Sequence, residues 1–173
     1  MIKNFCVHSI CVIENEEDII EFCLREALKW SDFIYVYDLN SSDKTWDIVK
    51  SMGSQRIIPW KQSAKPFSDG LRGEVFNAFK GNANEGDWWC RLDSDEFYVD
   101  NPKVFLSKIS YPYSVVSGIA VEYYLASSDL AKIDFNKPIK DVLADIRYYK
   151  AENSEIRFFR HSRKLNWPNG ASW

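Results

Sequence analysis

The sequence predicts an α/β protein, built on a mostly parallel sheet with helices on both faces. Short apolar, β-branched runs alternate along the chain with segments whose apolar residues recur every three or four positions, the pattern of linked strand–helix–strand units. The chain has 173 residues, 46% hydrophobic and 16% aromatic, enough for one domain with a real core. Polar, acidic residues gather where the strands end, which is where open α/β sheets bind ligands.

Phe5 to Ile13 (FCVHSICVI) is the first strand. Asn15-Glu-Glu-Asp opens a helix, with Glu16, Glu17 and Asp18 in the first turn, where the dipole favours negative charge. Its apolar stripe is Ile19, Ile20, Cys23, Leu24, Ala27 and Leu28. Phe33 to Tyr37 is the second strand, followed by the turn Asn40-Ser-Ser-Asp. Asp43 can cap the helix TWDIVKSM, and Gly53 ends it. RIIPW supplies a short third strand, residues 61–70 a loop, and Leu71 to Phe79 a helix. Asp87 to Leu92 is the fourth strand and Pro102 to Ile109 a short helix. Val115 to Leu125 is a long β-rich run, the part after Ala126 is mixed, and Ile156 to Arg160 reads as a further strand. There is no internal repeat and no low-complexity tract. The last residues, WPNGASW, carry two tryptophans with an exposed look and no closing element, so either the chain is a piece of a longer protein or this end packs against something.

Composition excludes several functions. With 22 basic and 25 acidic residues the net charge is −3, which argues against a dedicated nucleic-acid binder. Cys6, Cys11, Cys23 and Cys90 lie in apolar segments and form no CxxC pair, so buried free thiols are expected rather than a disulfide framework. Two histidines, His8 and His161, make a histidine-rich zinc site improbable. The N-terminus lacks a signal peptide's apolar core, and no apolar run approaches a membrane span. These features predict a soluble, cytoplasmic protein without a transmembrane segment.

The expected strand ends are Glu14-Asn15-Glu16, Asp38-Leu-Asn-Ser-Ser-Asp and Asp93-Ser-Asp-Glu. A Walker loop and a GxGxxG are both absent, and Gly70-Leu-Arg-Gly73 is only a GxxG. A carboxylate pair with one residue between, such as Asp93 and Asp95, can hold a hard divalent cation, which in turn holds phosphate. An isolated Asp-Ser-Asp is more often a solvated turn.

Its context resembles a known family. The Asn-Glu after the first strand (Asn15, Glu16) comes first, then a D-x-x-S-x-D-x-T (Asp38, Ser41, Asp43, Thr45). A G-D-W-x-x-x-x-D-x-D-E block follows (Gly86, Asp87, Trp88, Asp93, Asp95, Glu96). Together, over about residues 5–100, they resemble the nucleotide-binding half of a family 2 glycosyltransferase with the GT-A fold. The resemblance implies one GT-A-like domain over residues 1–173, with residues 1–100 as the nucleotide-sugar half and 101–173 as a partial acceptor-side half. It implies a UDP-sugar donor, an inverting transfer and Mn²⁺ or Mg²⁺ as cofactor. The implied acceptor is a glycan or lipid-linked sugar of polysaccharide assembly, handled in the cytoplasm at the inner face of the membrane.

By the same resemblance, Asp38 accepts the ring N–H of uracil, or else only caps its turn. Val12, Glu14 and Asn15 line the base and ribose pocket, while Glu16 is equally a good first-turn helix residue. Asp93 contacts ribose or a metal-bound water, and Asp95 ligates the metal, which stabilises the departing diphosphate. On this reading the acidic knot is an unfilled cation site. Arg72 lies near base and phosphates with Asp69 orienting it, or is a surface arginine. His161 is a third metal or phosphate contact, or a structural histidine. Trp88 and Cys90 belong to the core, and Trp89 is open.

The family turn usually carries glycine where Leu39-Asn40 and Lys44 stand here, and Asn tolerates the left-handed region. No catalytic base is recognisable: Asp145, Glu152 and Glu155 are the only candidates, or the base lies beyond Trp173. Two other functions remain. One is a nucleotide-binding domain that does not transfer. The other, a sugar nucleotidyltransferase, would need a Gly-rich basic loop that ENEEDIIEF lacks.

Overall fold

The computed structural model describes residues 4–134, 136–168 and 171; the Trp173 end lies outside them. The order of elements is β1 (Val7–Ile13), α1 (Ile20–Ala27), β2 (Phe33–Asp38), α2 (Thr45–Ser51), β3 (Ile57–Gln62), α3 (Gly70–Phe79) and β4 (Trp88–Leu92). Then come α4 (Pro102–Leu106), β5 (Val115–Tyr124), α5 (Ser127–Leu130), α6 (Ile139–Asp145) and β6 (Tyr148–Arg160).

The sheet order is β3-β2-β1-β4-β6-β5. The first four of these strands run parallel, and β6 pairs antiparallel with β4, Trp88 opposite Arg160 and Cys90 opposite Phe158. The α/β class, the mostly parallel sheet and helices on both faces are therefore as the sequence predicts. Burial on both faces explains why β1 is buried at every position instead of alternating.

Two apolar cores sit on opposite faces. One gathers Ile20, Cys23 and Leu24 of α1, Val49 of α2 and Leu106 of α4 against Cys11, Ile13, Val36, Trp88 and Cys90. The other packs Leu71, Val75 and Phe76 of α3 against Ile10, Tyr35, Tyr37, Trp89 and Phe159. Trp88 and Cys90 are core residues, as expected, and Trp89 is too, stacked on His8 and Tyr35. The four cysteines are free thiols. Trp167, for all its exposed look in the sequence, is buried on α3 with Gly73 beneath its ring, so this part of the C-terminal stretch packs against the domain. A side chain at position 73 would have no room.

Local signals held in part: α1 begins at Ile20 with Glu21 in its first turn, so Glu16, Glu17 and Asp18 precede the helix. Gly53 has φ +62 after α2, and Asn40 takes the left-handed conformation (φ 66) that the turn needs in place of glycine. α4 is shorter than expected, its start capped by the Asn101 side chain, which accepts from Val104 N.

The chain forms two compact units, one of residues up to 116 with 157 onward, the other of residues 117–156. Within the second, Ile133, Val142 and Ile146 form a small core, and Arg147 bonds Asp129 at 2.9 Å. No helix among the described residues is long and apolar enough to cross a membrane.

Candidate functional site

The loops after β1 and β2 are bonded to each other. Asn15 N donates to Ser41 Oγ at 2.8 Å, and Asn15 Oδ1 accepts from Ser42 N at 2.8 Å. Glu16 N donates to Thr45 Oγ1 at 2.7 Å, Glu17 Oε2 accepts from Lys44 N, and Asp43 accepts from both Thr45 N and Glu17 N. Backbone groups leaving a strand must find partners; here the polar residues of both motifs supply them. Asp38 is fully buried and accepts from Ser41 N (3.0 Å), Ser41 Oγ (2.5 Å) and Gln62 Nε2 (2.7 Å). Of its two sequence readings, this geometry supports the turn.

Asp93 stands just past the end of β4. Its carboxylate is bonded by Arg72 of α3, by Arg91 Nε at 3.1 Å and by Arg157 Nη1 of β6 at 2.9 Å. Arg72 also donates to Asp69, the residue expected to orient it, and Arg157 donates to Glu96 at 2.5 Å. Arg72 is 1% exposed and Arg157 5%, so neither is a surface arginine. Burial pushes the Asp93 carboxyl up, but Arg72, Arg91 and Arg157 outweigh it and hold the pKa below the ordinary value. Glu96 goes the other way: burial first, then the Asp93 charge, raise it against Arg157. The charge of Asp93 is thus offset by the protein's own guanidiniums, whereas Asp95 stands exposed beside it.

Beside this centre a cleft of about 340 Å³ opens at the carboxyl ends of β1 and β4. Its walls are Val12, Ile13, Glu14, Glu16, Phe67, Arg72, Arg91, Asp93, Ser94 and Asp95. Four carboxylates face two guanidiniums there, so an anionic ligand would be repelled unless a cation came with it. Glu16 shows the crowding: burial, Asp95, Asp18 and Asp43 raise its pKa against a hydrogen bond from Ser94.

The oxygen-only donor set suits Mg²⁺ or Mn²⁺. Among the described residues, however, no three His, Cys, Asp or Glu side chains gather to hold an ion by themselves. Asp93 is engaged by arginines and Asp95 is exposed. The fit is therefore to an ion that takes one or two carboxylates and completes its shell with ligand phosphate and water.

Val12, Glu14, Glu16, Arg72, Asp93 and Asp95 come together at the cleft as the sequence reading expected. Asn15 and Asp38 are not among its walls. His161 is a correction. It follows β6 beyond Arg160, and its backbone N–H donates to Asp87 O, at the start of β4 rather than its end. At ~3.3 Å per strand residue it sits on the order of 15–20 Å from Asp93, too far to share an ion. Burial lowers its pKa, and its Nδ1 accepts from Trp89 Nε1 at 3.2 Å, a structural role. Of the base candidates, Asp145 pairs with Lys137 at 3.6 Å, Glu155 lies in the second unit, and the Glu152 side chain is outside the described residues.

Three residues were missed. Arg91 was legible, since alternate residues of a strand share a face and it stands two before Asp93. Arg157 and Phe67 had no local signal.

Neither a family model nor a curated protein matches the chain. Among solved structures it is similar to S. aureus TarS, with 24% identity and a TM-score of 0.38. The match covers 54% of this chain and spans 17% of that one. So slight a likeness assigns no chemistry, which rests on the residues above.

Proposed function

We propose that the chain is a metal-dependent glycosyltransferase domain of the family 2, GT-A type. It binds a nucleotide-sugar, UDP-sugar first among donors, and passes the sugar with inversion to a saccharide or lipid-linked acceptor in polysaccharide assembly. The observation that carries this is the cleft at the carboxyl ends of β1 and β4, where Asp93, Asp95 and Glu16 face Arg72 and Arg91. A net-negative cleft with a buried Arg72 and a half-buried Arg91 suits a diphosphate entering together with a divalent cation.

In this reading Asp95, with Asp93, holds Mn²⁺ or Mg²⁺, which would supply Lewis-acid stabilisation of the departing diphosphate. Arg72 and Arg91 add fixed positive charge on the same side of the cleft, already oriented by Asp93 and needing no rearrangement as charge develops. Val12 and Glu14 bound the nucleoside end. No described residue is assigned as the base that deprotonates the acceptor. The protein acts in the cytoplasm, at the inner face of the membrane, in this proposal.

A second reading is nucleotide binding without transfer. A thermal-shift series with UDP, UDP-sugars and Mn²⁺ tests the site. Ligand at 100 times its dissociation constant stabilises by about 2.7 kcal/mol, or roughly 5–10 °C at this size. No shift with any nucleotide at millimolar concentration, with or without metal, would overturn the proposal. A shift without acceptor-dependent turnover would establish the second reading.

A further inference from the structure

The structure assigns a role to Phe67 that the sequence did not suggest: we propose that its ring is the stacking platform for the base of a nucleoside diphosphate in the cleft. This rests on the nucleotide-sugar reading of that cleft and deepens it.

Phe67 is 56% exposed and belongs to the cleft wall. The Arg72 guanidinium lies 5.3 Å from its ring centroid, so a planar cation backs the ring while more than half of the side chain stays open. The loop that carries it is tied at both ends. Ser63 N donates to Asp38 O at 3.0 Å where the chain leaves β3, and Asp69 holds Arg72 where the chain enters α3. Phe67 is therefore set between the end of β2 and the arginine centre.

Arg72 gives an independent sign that a ligand belongs here. Its terminal nitrogens bond Asp69 and Asp93, but its buried Nε has no hydrogen-bond partner. A buried donor left unsatisfied is costly, and an acceptor atom arriving in the cleft would relieve it. The walls divide in the same way as a nucleoside diphosphate does. Phe67, Val12 and Ile13 offer apolar surface to a flat ring, and Arg72, Arg91 and Asp95 offer charge to a metal-bound diphosphate. Stacking uses the π-face that every base has, so Phe67 sets affinity and does not discriminate uracil from cytosine.

Calorimetry of the full chain with Mn²⁺ separates the possibilities, using UDP, CDP and inorganic pyrophosphate on wild type, Phe67→Ala and Phe67→Trp. The exposed position makes both variants fold. Phe67→Ala is expected to weaken UDP and CDP alike, by roughly 5- to 100-fold, with pyrophosphate unchanged and Phe67→Trp near wild type. Undiminished UDP affinity in Phe67→Ala would overturn the platform while leaving the nucleotide reading intact. An equal loss for pyrophosphate would also overturn it, showing that the ring only steadies Arg72. A wild type that binds neither nucleotide would sink the nucleotide-sugar reading itself, and the platform with it.

Discussion

Asp93 and Asp95 are two residues apart, yet the structure predicts opposite responses to losing a charge. Asp93→Asn keeps the shape but removes the anion to which Arg72, Arg91 and Arg157 donate, and it turns an amide N–H₂ toward those guanidiniums. Breaking a buried ion pair by removing one partner costs about 3–5 kcal/mol. Here the loss is smaller, because Arg72 keeps Asp69, Arg157 keeps Glu96, and the Arg91 side chain is 23% exposed. We expect about 2–4 kcal/mol. Asp95 is exposed amid other carboxylates, so Asp95→Asn should leave stability within about 0.5 kcal/mol of wild type or raise it slightly. Urea denaturation at pH 7, followed by circular dichroism, measures both; with m about 2 kcal/mol/M, Asp93→Asn moves the midpoint down by roughly 1–2 M. The acid limb is a second readout. Because the Asp93 pKa is lowered on folding, its stabilisation is present above the unfolded value, ~3.9, and is lost as pH falls through the folded one. The Asn variant lacks that part of the slope. Equal midpoints for the two variants would refute the claim that Asp93 organises the arginines.

Asp38→Asn should cost about 1–2 kcal/mol through the turn it holds at Ser41 and Gln62; UDP and CDP affinities should change together, and a loss confined to UDP by calorimetry would show direct base recognition. Gly73→Ala would place a Cβ 2.8 Å from Trp167 Cδ1, so a thermal melt should show a loss of about 1–3 kcal/mol; a rise in melting temperature, as helix propensity alone would give, would mean that Trp167 is not seated there. Burial lowers the His8 pKa although Asp87 and Asp32 oppose it, so the unfolded chain takes up the proton first. Stability is full above about pH 6.5 and falls as pH drops from there through the folded value. His8→Phe should make the slope between pH 7 and 5 shallower, with His161 supplying the remainder, and an unchanged slope would assign the effect elsewhere.

The alternation of strands and helices, the αL turn at Asn40, the stop at Gly53 and the Asp43 bond to Thr45 N were all legible, because each depends on residues within a few positions of one another. So was the convergence of the acidic strand ends, Glu14, Glu16, Asp93 and Asp95, on one edge, which follows from parallel strands ending on the same side, whereas Arg72 was implied only by the family resemblance. The state of those groups was not legible. Asp38 and Asn15 look like ligand contacts in a motif, but only the packed loops show their oxygens committed to Ser41, Ser42 and Gln62. His161 ends a strand as Asp93 does, yet the antiparallel pairing of β6 with β4 sends the two to opposite ends. That same register brings Arg157 to Asp93 across 64 residues of sequence. Local periodicity and strand direction suffice for the first four strands, the helices between them, the fold class and the polar edge of the sheet, whereas α5, α6 and the start of β6 at Tyr148 carried no such signal. Which charges meet is set by long-range register, not by local spacing, because register fixes the distances on which electrostatics depends.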